Sequence, residues 1–175
     1  MLKKVEKILK ERKTMRAYEV ARYFLFLAEE NDELITKLKM QKLLYYAQAY
    51  SMYYLKTPLF DDKIHAWKLG PVVTNVYHTL EHDSNNILLY SVLKDFDTDM
   101  FSEEQKAIIR MCWKDYGKYT SSYLVSLTHN EESYKKHYKE NCNNVIPLHD
   151  ITKSLEKRDV KYIENVERQL NYANN

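Results

Sequence analysis

Between Ala17 and about Glu30, Val20, Phe24 and Leu27 recur on one side of the chain, with Ala21, Leu25 and Ala28 beside them. Apolar residues three and four apart share a helix face, and a face this broad predicts a helix buried on most sides. Thr36 then offers an N-cap, and Met40, Leu43, Leu44, Ala47, Tyr50 and Tyr54 recur at helical spacing up to Leu55, so a second helix with one core stripe is expected. Its other flank, Gln41, Tyr45, Gln48 and Met52, is a mixed strip of the kind found at the edge of a binding groove.

Pro58 stops that helix, because proline keeps the preceding residue out of helical geometry. From Leu59 to Leu69 the chain alternates, with His65, Trp67 and Leu69 opposite Ile64, Ala66 and Lys68, which predicts a short strand with Trp67 turned inward. Gly70-Pro71 breaks it and places proline in a first helical turn, after which Val73, Val76, Tyr77 and Leu80 mark the next helix. Ile87 to Leu93 forms an apolar stretch between polar ends and is expected as a second short strand. The expected fold is therefore mainly α, a compact multi-helix domain with a small β-hairpin or pair of short strands at about 60–70 and 87–93.

In the second half, Ser102-Glu103-Glu104-Gln105 has the form of a capping box, and Ile108, Ile109, Cys112, Trp113 and Tyr116 make the apolar face of the helix it starts, ended by Gly117. Thr120 caps a short helix containing Leu124 and Leu127, another runs from Glu131 to about Glu140, and Asn141 to Asn144 is a loop. Asp150 is expected to cap a final helical region whose inward side is Ile163, Val166 and Leu170. At the other end, residues 1–16 read as a basic extension, with Leu2, Val5 and Leu9 among Lys3, Lys4, Lys7, Lys10, Arg12 and Lys13. That segment is a solvated tail or a docking arm for an acidic partner, and residues 17–175 are read as one domain.

Composition sharpens this picture. Two glycines and three prolines in 175 residues leave few turn formers, which favours long helices over a strand-rich fold. A net charge of +2 supplies no large field for nonspecific nucleic-acid binding. Cys112 and Cys142 are too few for a disulfide framework and too far apart for a CxxC pair. No apolar run reaches the roughly 18 residues of a spanning helix, so a cytoplasmic location without membrane contact is expected. Sixteen tyrosines can serve as core, with hydroxyls reaching polar partners, or as recognition surface.

Catalytic and metal-binding patterns find little support. His78 and His82 have the i, i+4 spacing of helical metal ligands, with Asp83 adjacent, but they fall opposite the apolar stripe and are read as facing solvent. No HExxH occurs, Cys112 lies on an apolar helix face, and two glycines hardly build a phosphate-cradling loop. Neither an enzyme nor a bound cofactor or metal is expected.

Two strings call for more than generic packing: Ala66-Trp67-Lys68-Leu69-Gly70-Pro71-Val72-Val73, and Leu124-Val125-Ser126-Leu127-Thr128-His129. The first joins a bulky aromatic and a cation to a rigid turn, a set that either presents an aromatic anchor on a fixed loop or locks the turn onto the core through Trp67. The second ends a helix in a Thr-His pair able to bond its freed carbonyls.

With Val20-Ala21, the run Ile35-Thr36-Lys37-Leu38-Lys39-Met40-Gln41-Lys42-Leu43-Leu44-Tyr45-Tyr46-Ala47, and Pro58-Leu59-Phe60-Asp61, these strings resemble the Panacea domain of SocA-like antitoxins and phage-associated proteins, over roughly residues 17 to 140. The resemblance implies a helical domain that neutralises a cognate protein toxin by direct contact, or hands a bound toxin to a cytosolic AAA+ protease. It also implies that an added segment, here the basic N-terminal residues, tunes partner choice. The candidate contact and motif residues are Tyr45, Tyr46, Gln48, Trp67, Lys68, Gly70, Pro71, Val72, Thr128 and His129. The rival reading is a nucleic-acid-binding regulator of a mobile element or phage that uses Lys3 to Lys13 with Tyr and Lys residues as a contact surface.

Overall fold

The computed structural model describes residues 15–156; the basic segment before Met15 and the late stripe Ile163, Val166 and Leu170 lie outside the described residues. The chain is mainly helical with one small antiparallel hairpin. Helix α1 (Ala17–Glu30) matches its apolar pattern and buries Val20, Ala21, Tyr23, Phe24, Leu25, Leu27 and Ala28. Its partly exposed Arg22 pairs with Glu19 and donates to the carbonyls of Val92 and Lys94, which fastens the 90–96 loop to α1.

Helix α2 (Lys37–Tyr50) is the hub. Thr36 caps it by accepting from the Lys39 amide at 3.1 Å, and its hydroxyl also meets Ser121 at 2.7 Å. The helix continues as a single wide turn over Ser51–Leu55 and ends where Lys56 adopts a left-handed φ of 58°. Every residue from Lys39 to Tyr50 is buried, so the expected division into a core stripe and a groove-edge flank does not hold. Helices on all sides cover it: α1, α4 (Glu103–Tyr116), α5 (Ser121–Asn130) and α7 (Leu148–Glu156), with the hairpin closing one end.

The hairpin comprises β1 (His65–Trp67) and β2 (Gly70–Val72), with Trp67 opposite Gly70. Strand β1 lies where alternation predicts it, but Ile64 and Ala66 face the core while Trp67 is only half-buried. Gly70-Pro71 begins the return strand instead of a helix, and helix α3 starts at Thr74 and runs to Thr79. The second strand expected over 87–93 reduces to bridges of Ile87 with Thr36 and Leu88 with His82, followed by a 3-10 turn at Tyr90–Leu93. The cause is Asp83, whose carboxylate accepts from the amides of Asn85 and Ile87 and curls the loop into a tight turn.

Helix α4 starts with the full reciprocal capping box between Ser102 and Gln105, and Thr120 caps α5 by accepting from the Tyr123 amide. Helix α6 (Glu132–His137) is shorter than its pattern. Asp150 does not cap the last helix, which begins at Leu148. It accepts from His137 at 2.7 Å and Lys136 at 3.0 Å, joining α6 to α7, and these two partners hold its carboxyl at about 2, below the ordinary carboxylate range.

Gln48 shows how a buried polar residue on α2 shapes the fold. Its carbonyl oxygen accepts from the Leu59 amide at 2.9 Å and the Phe60 amide at 3.2 Å, and its amide donates to the Phe60 carbonyl at 2.8 Å. Among the described residues the loop after Pro58 pairs here with only one other main-chain group, the Met15 amide on the Leu59 carbonyl, so one side chain satisfies three further main-chain groups. Gln48→Met, which keeps the volume and removes the hydrogen bonds, is expected to cost about 3 kcal/mol or more, read as a lower urea midpoint; unchanged stability would show that the loop finds other partners.

Candidate functional site

The same device recurs at the hairpin. Adjacent residues Gln41 and Lys42 take the positions that a third strand would occupy along β2: the Val73 amide donates to Gln41 Oε1 at 2.9 Å, and Lys42 Nζ donates to the Pro71 carbonyl at 2.9 Å. Both side chains are buried, Lys42 completely. No carboxylate pairs with Lys42 among the described residues, and burial pulls its ammonium pKa down from 10.5 to about 7.

Gly70 lets the helix approach this closely. It has φ +102°, and a Cβ built there would stand 2.7 Å from Lys42 Nζ and 2.8 Å from Thr128 Oγ1. Thr128, fully buried, is tied to its own helix by hydrogen bonds to the Leu124 and Val125 carbonyls. Tyr134 from α6 donates to the Trp67 carbonyl at 2.8 Å, and His129 stacks flat on its ring with centroids 4.8 Å apart. Burial raises the Tyr134 hydroxyl to about 12, so it remains a donor at neutral pH.

Outside this buried cluster, the hairpin forms one wall of a surface groove of about 420 Å³, lined by Thr36, Lys37, Leu38, Trp67, Lys68, Leu69, Val72, Tyr77 and Asn86. The first turn of α2 makes the opposite wall, and α3 contributes Tyr77. Trp67 packs edge-on to Tyr77 with centroids 5.3 Å apart, while its Nε1 donates to Asn143 Oδ1 at 2.7 Å. Lys37 Nζ lies 4.1 Å above the Tyr77 ring, and Leu69 at the lip is 52% exposed. Apolar walls with a few fixed polar groups are the usual makeup of a recognition site.

The candidate residues thus divide between two settings. Trp67 and Lys68 reach the groove, with Val72 along its base. Gly70, Pro71, Thr128 and His129 form the support behind it, whereas Tyr45, Tyr46 and Gln48 lie inside the protein. Tyr45 bonds to Ser133 at 2.6 Å, and Tyr46 donates to Glu131 at 3.2 Å while stacking on Tyr116 at 4.0 Å. Sequence reasoning missed Lys37, Leu38, Leu69 and Tyr77 as groove residues and Gln41, Lys42 and Tyr134 as its support. Gln41 and Lys42 did carry a signal, since they are polar residues inside an otherwise core-forming run.

His78 and His82 both face solvent, and α3 ends at Thr79, so they do not share a helix face. Among the described residues no group of three or more His, Cys, Asp or Glu is placed to hold a metal ion, and no helix is long and apolar enough to cross a membrane. Lys42 has a lowered pKa but no exposed surface, so in this conformation it has no access to a substrate.

Compared with known proteins, residues 40–135, more than half of the chain, match the family described as Antitoxin SocA-like, Panacea domain. Comparisons with curated proteins and with solved structures give no match.

Two predictions follow from the buried cluster. An unfolded lysine keeps its proton to about pH 10.4, while folded Lys42 releases it above about 7. Between these values the unfolded chain binds more protons, so Lys42 makes stability rise with pH through that window and contributes a constant penalty below it. Urea titrations from pH 7 to 9, below the range of tyrosine ionisation, are expected to show a gain of about 2 kcal/mol that Lys42→Met abolishes; parallel curves would place the lysine in water. Gly70→Ala is expected to cost about 2–4 kcal/mol through its left-handed φ and the clash with Lys42 and Thr128, measured as a drop in melting temperature.

Proposed function

Because the chain belongs to the SocA-like antitoxin family, with its Panacea domain over residues 40–135, we propose that it neutralises a cognate protein toxin by direct contact through the groove between α2 and the hairpin. The observation that carries this reading is the groove's makeup: Trp67 held on a hairpin with Leu69 exposed beside it. Binding energy at protein interfaces concentrates in aromatic anchors set in apolar surroundings. A tryptophan fixed by Tyr77 and Asn143 loses little freedom on binding, which favours a lasting complex. The basic N-terminal residues add a second, electrostatic contact to this proposal, and residues 17–175 form its single domain. Delivery of the bound toxin to an AAA+ protease is a finer form of the same reading.

The test is growth rescue. The product of an adjacent open reading frame is expected to arrest growth alone and to be neutralised by co-expression of this chain. Trp67→Ala and Leu69→Asp are expected to abolish rescue while changing stability by about 1–2 kcal/mol or less, because both side chains are partly exposed. Full rescue by both folded variants would remove the groove from the toxin contact. Toxin abundance during rescue separates the two forms: a constant level means neutralisation by contact, and a fall that depends on this chain and on a protease means delivery.

A further inference from the structure

We infer that the groove takes an acidic, apolar segment of its partner, read through side chains and not by strand addition; this rests on the groove being the partner-binding surface. Charge is the first argument. Lys37 and Lys68 both line the groove, and no Asp or Glu is among its lining residues. Neither lysine forms an ion pair among the described residues. Lys37 Nζ instead stands 4.1 Å from the centre of the Tyr77 ring and 3.3 Å from His82 Nε2, neither of which carries a negative charge. Two uncompensated cations flank the apolar side chains of Leu38, Trp67, Leu69 and Val72. The complementary surface is a carboxylate beside large apolar side chains.

Main-chain pairing is the second argument. A peptide that adds a strand needs a free edge, and the hairpin offers none at either strand. Along β1, the Ala66 amide donates to the Asn144 carbonyl and the Ile146 amide to the Ile64 carbonyl. Along β2, Gln41 and Lys42 occupy the Val73 amide and the Pro71 carbonyl. Recognition therefore falls to side chains in the groove. With a net charge of only +2 on the whole chain, long-range attraction is weak, and selection for acid comes from these two local lysines.

The experiment pans a random twelve-residue peptide library displayed on phage against the full chain at low salt, after depletion on the Trp67→Ala variant to remove peptides that bind elsewhere. Enriched peptides are expected to combine Asp or Glu with Leu, Ile, Phe or Trp. As fluorescein-labelled synthetic peptides, they should bind Lys37→Gln/Lys68→Gln about ten-fold more weakly, and Lys68→Gln alone several-fold more weakly. Changing their acids to Gln should produce a similar loss, and rising salt should shrink it. Melting curves of both variants control for folding, and Lys68, whose side chain has no hydrogen-bond or ion-pair partner among the described residues, keeps the test valid if Lys37→Gln unfolds the start of α2. Enrichment of neutral or basic peptides, binding that ignores both lysine variants, or no enrichment at all would overturn the inference. Peptides that behave as expected in a protein that rescues no toxin would uphold the groove's chemistry and overturn the toxin reading.

Discussion

The structure depends on a helix whose buried polar side chains act as main-chain partners. A backbone amide or carbonyl taken out of water must be matched, at a cost of about 1–3 kcal/mol when it is not. The hairpin of this protein has two short strands and packs against a helix, which cannot pair with a strand edge through its own main chain. Gln41 and Lys42 resolve this by filling the Val73 amide and Pro71 carbonyl. One turn or two further along the same helix, Gln48 does the same for Leu59 and Phe60.

This arrangement explains why α2 can be buried from Lys39 to Tyr50 and yet carry glutamine, lysine and tyrosine. Each polar group reaches a different neighbour: Lys39 the Gly117 carbonyl, Tyr45 Ser133, Tyr50 Asp115, Ser51 the Thr57 carbonyl. Hydrogen bonds are directional, so they fix one arrangement of the surrounding elements where apolar packing alone tolerates several. Burying Lys42 without a carboxylate disfavours its charge, and Gly70 brings the turn close enough for the amine to reach Pro71. The groove is the outer face of this construction. Its wall, Trp67 to Leu69, is held from behind by Tyr134 on the Trp67 carbonyl, so a rigid interior presents a defined surface.

Much of this was legible in the sequence. The apolar spacing of Ala17–Glu30, the Thr36 and Thr120 caps and the Ser102 capping box all reappear in the structure, because helix periodicity and capping are settled within a few residues. The strings around Tyr45-Tyr46, Trp67 and Gly70-Pro71 pointed to the family that residues 40–135 match. The direction of Trp67 was not legible. Alternation says which residues share a face, but which face is inward depends on what packs there; α2 lies against β2, and it is Ala66, not Trp67, that is buried. Asp150 likewise reads as a cap in isolation, and only the arrival of Lys136 and His137 from α6 turns it into a clasp.

The sequence by itself determined the helical class, the main helix starts and the family, since these follow from local patterns and from strings of adjacent residues. Tertiary structure decided which polar residues are interior. Gln41, Gln48 and Lys42 look like surface residues until the loop backbone they serve is brought against them from 11 to 32 residues away. It also decided the groove, whose walls come from the start of α2, the hairpin and Tyr77. A periodic pattern describes one element at a time; a site shared among three exists only once they pack.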